Sequence, residues 1–313
     1  MLFISKEDLA TCLPIDRLID AIEAGFRSGI EAPPRLHYSL PCKGETAMDA
    51  SFLIMPAWRP EEYIGLKILS VFPKNAEAGI PTISGLYILL DGKNGQTIAI
   101  IDGGELTARR TAAASALASR LLSRRDSRTL LMVGTGRLAP HLILAHASVR
   151  PIDNVYVWGR NYDKAQQVAG TLGHQGFSIR AVDDLPAFAR HADIISCATF
   201  SKLPLIKGEW LMAGAHVDLV GSYLTDMREA DDEVMRRARI FVDSRQGAIE
   251  ESGDLHIPIS NNVISPEDIV ADLFDLCRSN HAARASESEI TVFKSVGHAI
   301  EDLAAAVLAS QMI

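Results

Sequence analysis

The sequence predicts an α/β protein: a Rossmann-type dinucleotide-binding domain joined to a second, α+β domain. Three observations carry that prediction. Past residue 129, short apolar runs alternate with helical stretches. The first of those runs passes straight into a Gly-x-Gly-x-x-Ala turn and then a helix. The first hundred residues, in contrast, read as a helix followed by turn-rich, strand-like runs. Alternating strands and helices imply a parallel sheet with right-handed crossovers; strand-like runs joined by tight turns imply an antiparallel one.

In the first region, Ile15, Leu18, Ile19, Ile22 and Phe26 fall at helical spacing behind Pro14, a favoured first-turn residue. Strand-like runs follow at 36–40, 51–55, 64–71 and 83–90. Asp91-Gly92-Lys93-Asn94-Gly95 is a hairpin-type turn before a run at 97–101. An Ala-rich helix is predicted over 106–122. The pattern changes near residue 112, so domains are expected at 1–112 and 113–296. Beyond that point 129–133, 154–158, 194–198, 217–220 and 240–242 are short and apolar, as buried parallel strands are. Helices are expected over 140–148 and 163–172, a late strand over 290–294 and a last helix over 297–309.

Composition narrows the function. Of 313 residues, 31 are Lys or Arg and 39 are Asp or Glu, a net charge of −8. A nucleic-acid binder is expected to carry a basic excess or patch; the nearest basic run, Arg124, Arg125 and Arg128, reads as a solvated helix end. The four cysteines, Cys12, Cys42, Cys197 and Cys277, are widely separated. That spacing excludes a zinc-type CxxC pair and a disulfide framework, and fits reduced thiols in the cytoplasm. No metal site is expected. The N-terminus lacks the basic and apolar segments of a signal peptide, and no apolar stretch is long enough to span a bilayer.

Gly134-Thr135-Gly136-Arg137-Leu138-Ala139 follows the strand over 129–133 and precedes a helix. This is the dinucleotide fingerprint: a first glycine for the tight turn, a second for close approach of the pyrophosphate, a small residue for helix–strand packing. Free N–H groups at the helix start attract the phosphates. The next strand ends Val157-Trp158-Gly159-Arg160-Asn161, without the terminal acid that accepts from an NAD ribose. Arg160, with Lys164 and Asn161 beside it, suits a 2′-phosphate instead. NADP(H) is therefore favoured, with NAD(H) left open.

Four stretches resemble the ornithine cyclodeaminase/μ-crystallin family over essentially the whole chain. They are Met55-Pro56-Ala57-Trp58 leading to Gly65-Leu66-Lys67; Leu106-Thr107-Ala108-Arg109-Arg110-Thr111-Ala112-Ala113; the Gly134 turn; and Phe293-Lys294-Ser295-Val296-Gly297. The resemblance implies that the N-terminal domain binds substrate and forms a homodimer, that the C-terminal helix (297–313) returns to it, and that a nicotinamide cofactor acts on a small α-amino or α-imino acid. Two acids that serve the family's cyclodeaminases are replaced here by Leu53 and Tyr223. Gly221-Ser222 with Met227-Arg228-Glu229 instead looks like the reductase branch. The expectation is NADPH-dependent reduction of a cyclic 2-imino acid, Δ1-pyrroline-2-carboxylate or its six-membered homologue, to L-proline or L-pipecolate. An alanine-type dehydrogenase, an ornithine cyclodeaminase and a non-catalytic ligand-binding protein remain the alternatives.

The resemblance also assigns roles. Arg110 matches the family arginine that binds the substrate carboxylate, although Arg109 is adjacent and the register could shift by one. Arg35 matches a second such arginine. Lys67, in the apolar strand 64–71, is expected either to bind the carboxylate or to supply a proton. Thr82 and Ser84 are weaker pocket candidates. Ala198, Thr199, Val220, Gly221, Ser222, Val296 and Gly297 are expected at the cofactor. His298 is a tempting acid whose more ordinary role is helix capping, and Cys197 is expected to be packed.

Overall fold

Strand pleating explains the first sheet. In β3 (Ala50–Arg59) and β4 (Tyr63–Val71), buried residues alternate with half-buried ones, so one face of each strand is covered. The computed structural model describes residues 1–41, 50–279 and 283–313, so Cys42 lies outside the described residues. The chain forms two units, Met1–Thr111 with His298–Ile313, and Ala112–Gly297.

The first unit opens with β1 (Leu2–Ile4), α1 (Lys6–Cys12) and α2 (Ile15–Arg27). β2 (Leu36–Leu40), β3, β4, β5 (Ile83–Asp91) and β6 (Thr97–Asp102) then pair antiparallel in sequence, and β1 adds in parallel to β6. The last helix of the chain, α11 (Ala299–Met312), packs on α2 and on β3, β4 and β5. Strand β3 runs past the expected end at residue 55 and through Pro56. Trp58 exchanges both backbone hydrogen bonds with Glu31, so Pro56, two residues earlier, turns its nitrogen to that same side. The β2 ladder has ended by then, at Ile54, and the missing N–H costs no strand hydrogen bond.

Helix α3 (Gly103–Leu122) starts three residues earlier than expected, because Asp102 accepts from the Glu105 N–H and caps the Gly-Gly start. It begins in the first unit and ends in the second.

The second unit contains β7 (Thr129–Val133), α4 (Leu138–Val149), β8 (Asn154–Trp158), α5 (Tyr162–Thr171), β9 (Ser178–Val182), α6 (Leu185–Ala189), β10 (Ile194–Cys197), β11 (His216–Leu219), α7 (Asp232–Arg237), β12 (Ala238–Val242), α8 (Arg245–Glu251), α9 (Gly253–Ser260), β13 (Ile269–Asp272), α10 (Leu273–Cys277) and β14 (Ile290–Lys294). Among the described residues its sheet has eight strands, all parallel, in the order β13-β12-β14-β11-β10-β7-β8-β9. The run β9-β8-β7-β10-β11-β14 is the doubly wound order, with its switch point between β7 and β10. Leu131, Val133, Ile195, Val217, Leu219 and Val292 form the centre of its core. No helix among the described residues is long and apolar enough to cross a membrane.

Candidate functional site

Lys67 lies on the covered face of β4, between Gly65 and Leu69, and is fully buried. A lysine so placed needs a partner. It has one in Asp302, in the first turn of α11: Nζ stands 2.6 Å from Oδ2. Arg110, in α3, is also buried. Its Nε lies 2.9 Å from the other oxygen, Oδ1, of Asp302, and its Nη1 donates to Glu301 Oε2 at 2.6 Å. One carboxylate therefore joins the ammonium to the guanidinium, and a second anchors the guanidinium. The α11 N-terminus favours negative charge at both acids.

Burial and the facing Arg110 charge push the Lys67 pKa down to about 7; Arg35 adds to the depression, and Asp302 opposes it. A group balanced near neutrality can both hold and release a proton. Tyr87 stands directly opposite Lys67 on β5. It is buried, and its hydroxyl makes no hydrogen bond among the described residues. Burial, with the Asp302 charge, raises its pKa well above 10. The tip of this ring occupies the space over Gly65, where a Cβ would fall 1.8 Å from the hydroxyl.

The structure separates the two adjacent arginines. Arg109 is turned away from this group and pairs with Glu105 within α3 at 2.9 Å. Arg35 is half-buried and close enough to act on Lys67 through its charge. Thr82 is half-buried ahead of β5, with its carbonyl accepting from Phe72, and no described contact brings it to this cluster. His298 is the N-cap of α11: its Nδ1 accepts from the Ile300 N–H. Leu53 is buried in the sheet, and Tyr223 packs edge-on against Phe200 with ring centres 5.9 Å apart.

The second candidate site lies at the carboxyl ends of β7, β8, β10, β11 and β14, where doubly wound sheets bind ligands. Gly134 has φ +126°, a conformation that side chains rarely adopt, and a Cβ there would meet the Ala198 carbonyl at 2.6 Å. At Gly136 a Cβ would meet nothing within 4 Å, so the backbone is open to a ligand. Thr135 and Arg137 complete the turn; α4 starts at Leu138 without a side-chain cap, and Ala139 is buried against the sheet. The first N–H groups of α4 are thus not taken by a capping side chain, as phosphate binding requires. This cradle fits a dinucleotide pyrophosphate. Arg160 and Lys164 are exposed beyond β8. The Asn161 side chain accepts from the Lys164 N–H as the cap of α5.

Two buried acids organise the remaining turns. Glu229 accepts from the N–H and hydroxyl of Thr199 at 2.6 and 2.8 Å and from Gly221 N–H at 2.7 Å, which ties the β10 exit to the β11 exit. Burial and the neighbouring Asp254 charge raise its pKa to about 7, against Lys294. Asp243 accepts from the Val296 and Gly297 N–H groups at 2.8 and 2.6 Å and fixes the β14 exit. Val220 continues the β11 ladder by donating to Cys197. Ser222 is buried, with its hydroxyl donating to the Met227 carbonyl. Cys197 is packed, and burial raises its thiol pKa well above 9. Ala198 N–H bonds the Val133 carbonyl.

Sequence reading did not reach Glu301, Asp302, Tyr87 or Asp243, and it named Glu229 only as part of the Met227-Arg228-Glu229 resemblance, without a role. A signal existed for the first two. The run from Ala299 is apolar nearly all round, and acids inside such a helix are expected to be buried and paired.

A doubly wound sheet with this turn, in a chain whose other unit gathers buried cations on paired acids, defines a dinucleotide-binding class of protein. The chain belongs to the ornithine cyclodeaminase/mu-crystallin family, whose model matches residues 2–312. It is a pyridine-nucleotide oxidoreductase. The Δ1-pyrroline-2-carboxylate reductase of Colwellia psychrerythraea is 40% identical over 309 residues, covering 98% of this chain and 97% of the relative. That of Paracoccus denitrificans is 44% identical over 248 residues, covering 79% and 78%. The solved Δ1-pyrroline-2-carboxylate reductase of Thermococcus litoralis, in complex with NADH and L-proline, superposes with a TM-score of 0.94 at 32% identity, covering 100% of this chain and 97% of its own.

Proposed function

We propose that the protein reduces a cyclic 2-imino acid, Δ1-pyrroline-2-carboxylate or its six-membered homologue, to L-proline or L-pipecolate with NADPH. The observation that carries this reading is the buried Lys67–Asp302–Arg110 group. The substrate bears a carboxylate beside the C=N carbon. Arg110 and Arg35 supply the positive charge that orients the carboxylate. Lys67 holds a proton at Nζ and passes it to the imine nitrogen, because the resulting iminium accepts hydride more readily than the neutral imine. Bound nicotinamide cofactor supplies the hydride. The Gly134–Ala139 turn would hold its pyrophosphate. Thr199, Gly221, Val296 and Gly297, kept in place by Glu229 and Asp243, would border the nicotinamide end. Arg160 and Lys164 favour a 2′-phosphate and hence NADPH over NADH.

A homodimer in the cytoplasm completes the proposal. Leu36, Tyr38, Leu40 and Leu86 are exposed apolar side chains on the first sheet, which supports burial of that face against a second copy. The test is spectrophotometric oxidation of NADPH with each cyclic imine, with NADH and with pyruvate plus ammonia run alongside. Rapid turnover of a cyclic imine is expected. Activity only on pyruvate with ammonia would replace this reading with an alanine dehydrogenase, and tight NADPH binding without turnover would leave a carrier.

A further inference from the structure

We propose that Asp302 is a positioning residue that couples Lys67 to Arg110, fixing their separation and holding the proton on the lysine. Its two oxygens are divided between the two cations, Oδ2 at 2.6 Å from Lys67 Nζ and Oδ1 at 2.9 Å from Arg110 Nε. Both Asp302 and Lys67 are fully buried, so water does not screen the attraction.

The charges facing Lys67 come from several elements. Arg110 faces it from α3 and Arg35 from ahead of β2; both oppose its proton. Tyr87 faces it from β5 with an uncharged hydroxyl. Glu301, on α11, is engaged with Arg110 and with its own helix start. Asp302 is the carboxylate in direct contact with Lys67. Without it, Lys67 and Arg110 would face each other as like charges, and the lysine would lose its proton at lower pH.

Glu301 already holds one nitrogen of the guanidinium, so the loss of Asp302 leaves Arg110 in place on one anchor. The effect on substrate affinity is therefore expected to be smaller than the effect on the proton. A carboxylate that merely tied α11 to the sheet would produce neither effect.

The inference rests on the reductase reading for its kinetic test, and a second measurement is independent of turnover. In the first, kcat is followed against pH for the wild type, Asp302→Asn and Asp302→Glu. Asp302→Asn is expected to move the descending limb down by about one pH unit or more, the scale of a lost opposite charge. Asp302→Glu, which keeps the charge, is expected to return the limb most of the way. A limb in Asp302→Asn that superimposes on the wild type would overturn the proposal.

In the second, thermal unfolding of Lys67→Met, Asp302→Asn and the double variant closes a thermodynamic cycle. Asp302→Asn leaves a buried unpaired cation and is expected to melt below the double variant, which leaves none. Simple addition of the two single losses would overturn the coupling, whether or not the wild type reduces an imine. An inactive wild type with a strongly non-additive cycle would instead sink the reductase reading and leave the coupling standing.

Discussion

Glu301 holds Arg110 across 2.6 Å with one carboxylate oxygen, and with the other it accepts the His298 N–H that starts α11. The capping box of that helix and the anchoring of the guanidinium are thus one device. Together with Asp302 it gives Arg110 two carboxylate partners in a fork geometry that an ammonium cannot reproduce. Arg110→Lys should therefore keep the charge and the fold but lose alignment. A fall in kcat/KM of about 10- to 100-fold is expected, the equivalent of one or two charge-assisted hydrogen bonds. Arg110→Ala leaves two buried acids short of their cation and should cost about 3–5 kcal/mol of stability. Steady-state kinetics on the first variant and thermal melting on the second separate alignment from charge balance.

Lys67 predicts a pH dependence in both activity and stability. If the protonated lysine supplies the imine proton, kcat should decline as pH rises through about 7. The sign for stability is opposite. The folded chain releases this proton near 7, whereas the unfolded chain keeps it to about 10.5. Between those values the unfolded state binds more protons, so raising the pH stabilises the fold through this group. Lys67→Met should abolish turnover and flatten that part of the stability profile. Urea unfolding of both proteins at several pH values measures the difference, and parallel profiles would refute it.

Gly65 and Tyr87 give a prediction about packing. A methyl group at residue 65 would fall 1.8 Å from the Tyr87 hydroxyl and 2.7 Å from its ring carbon Cζ. Gly65→Ala should cost about 1–3 kcal/mol or more, as overpacking of a core does. Tyr87→Phe removes a buried hydroxyl without a hydrogen-bond partner among the described residues and should be neutral or stabilising. It should also relieve part of the Gly65→Ala loss, since the nearest clashing atom is gone. Melting temperatures of the two single variants and the double variant test all three statements.

The central strands were the most legible part of the chain. β7 and β14 match their expected bounds residue for residue, because burial on both faces leaves an apolar run that little else imitates. β9 was not foreseen: it is the sheet edge, half exposed, and carries Ser178 and Arg180. β1 is only three residues long, and β13 four. At the site, Lys67 and Arg110 stand out as charges in apolar or Ala-rich surroundings. Their partner acids also sit in an apolar helix, but the pairing is not legible, because Glu301 is 191 positions from Arg110 and no local pattern links them. Asp243, and the role of Glu229, were hidden for a related reason. Glu229 and Asp243 act on the backbone N–H groups of Thr199 and Gly297, 30 and 54 positions away, and such contacts leave no trace in spacing.

Cofactor choice can be tested on Arg160 alone. The side chain is exposed beyond the end of β8, and Lys164 follows in the first turn of α5. Asn161 is occupied in capping that helix, so its side-chain oxygen is already spent on the Lys164 N–H. Recognition of a 2′-phosphate then falls to the two cations, and the guanidinium has the better geometry for it. Arg160→Ala should raise the KM for NADPH about 10-fold or more while leaving that for NADH nearly unchanged, because the ribose hydroxyl of NADH needs no cation. The kcat with saturating NADPH should hold, since in the proposed binding mode the residue would border the adenosine end, away from the reacting carbon. Added salt should weaken NADPH binding in the wild type more than in the variant, as expected for an exposed charge pair. Equal loss of both cofactors would place Arg160 in the general support of the α5 start and would overturn the proposal that it selects NADPH.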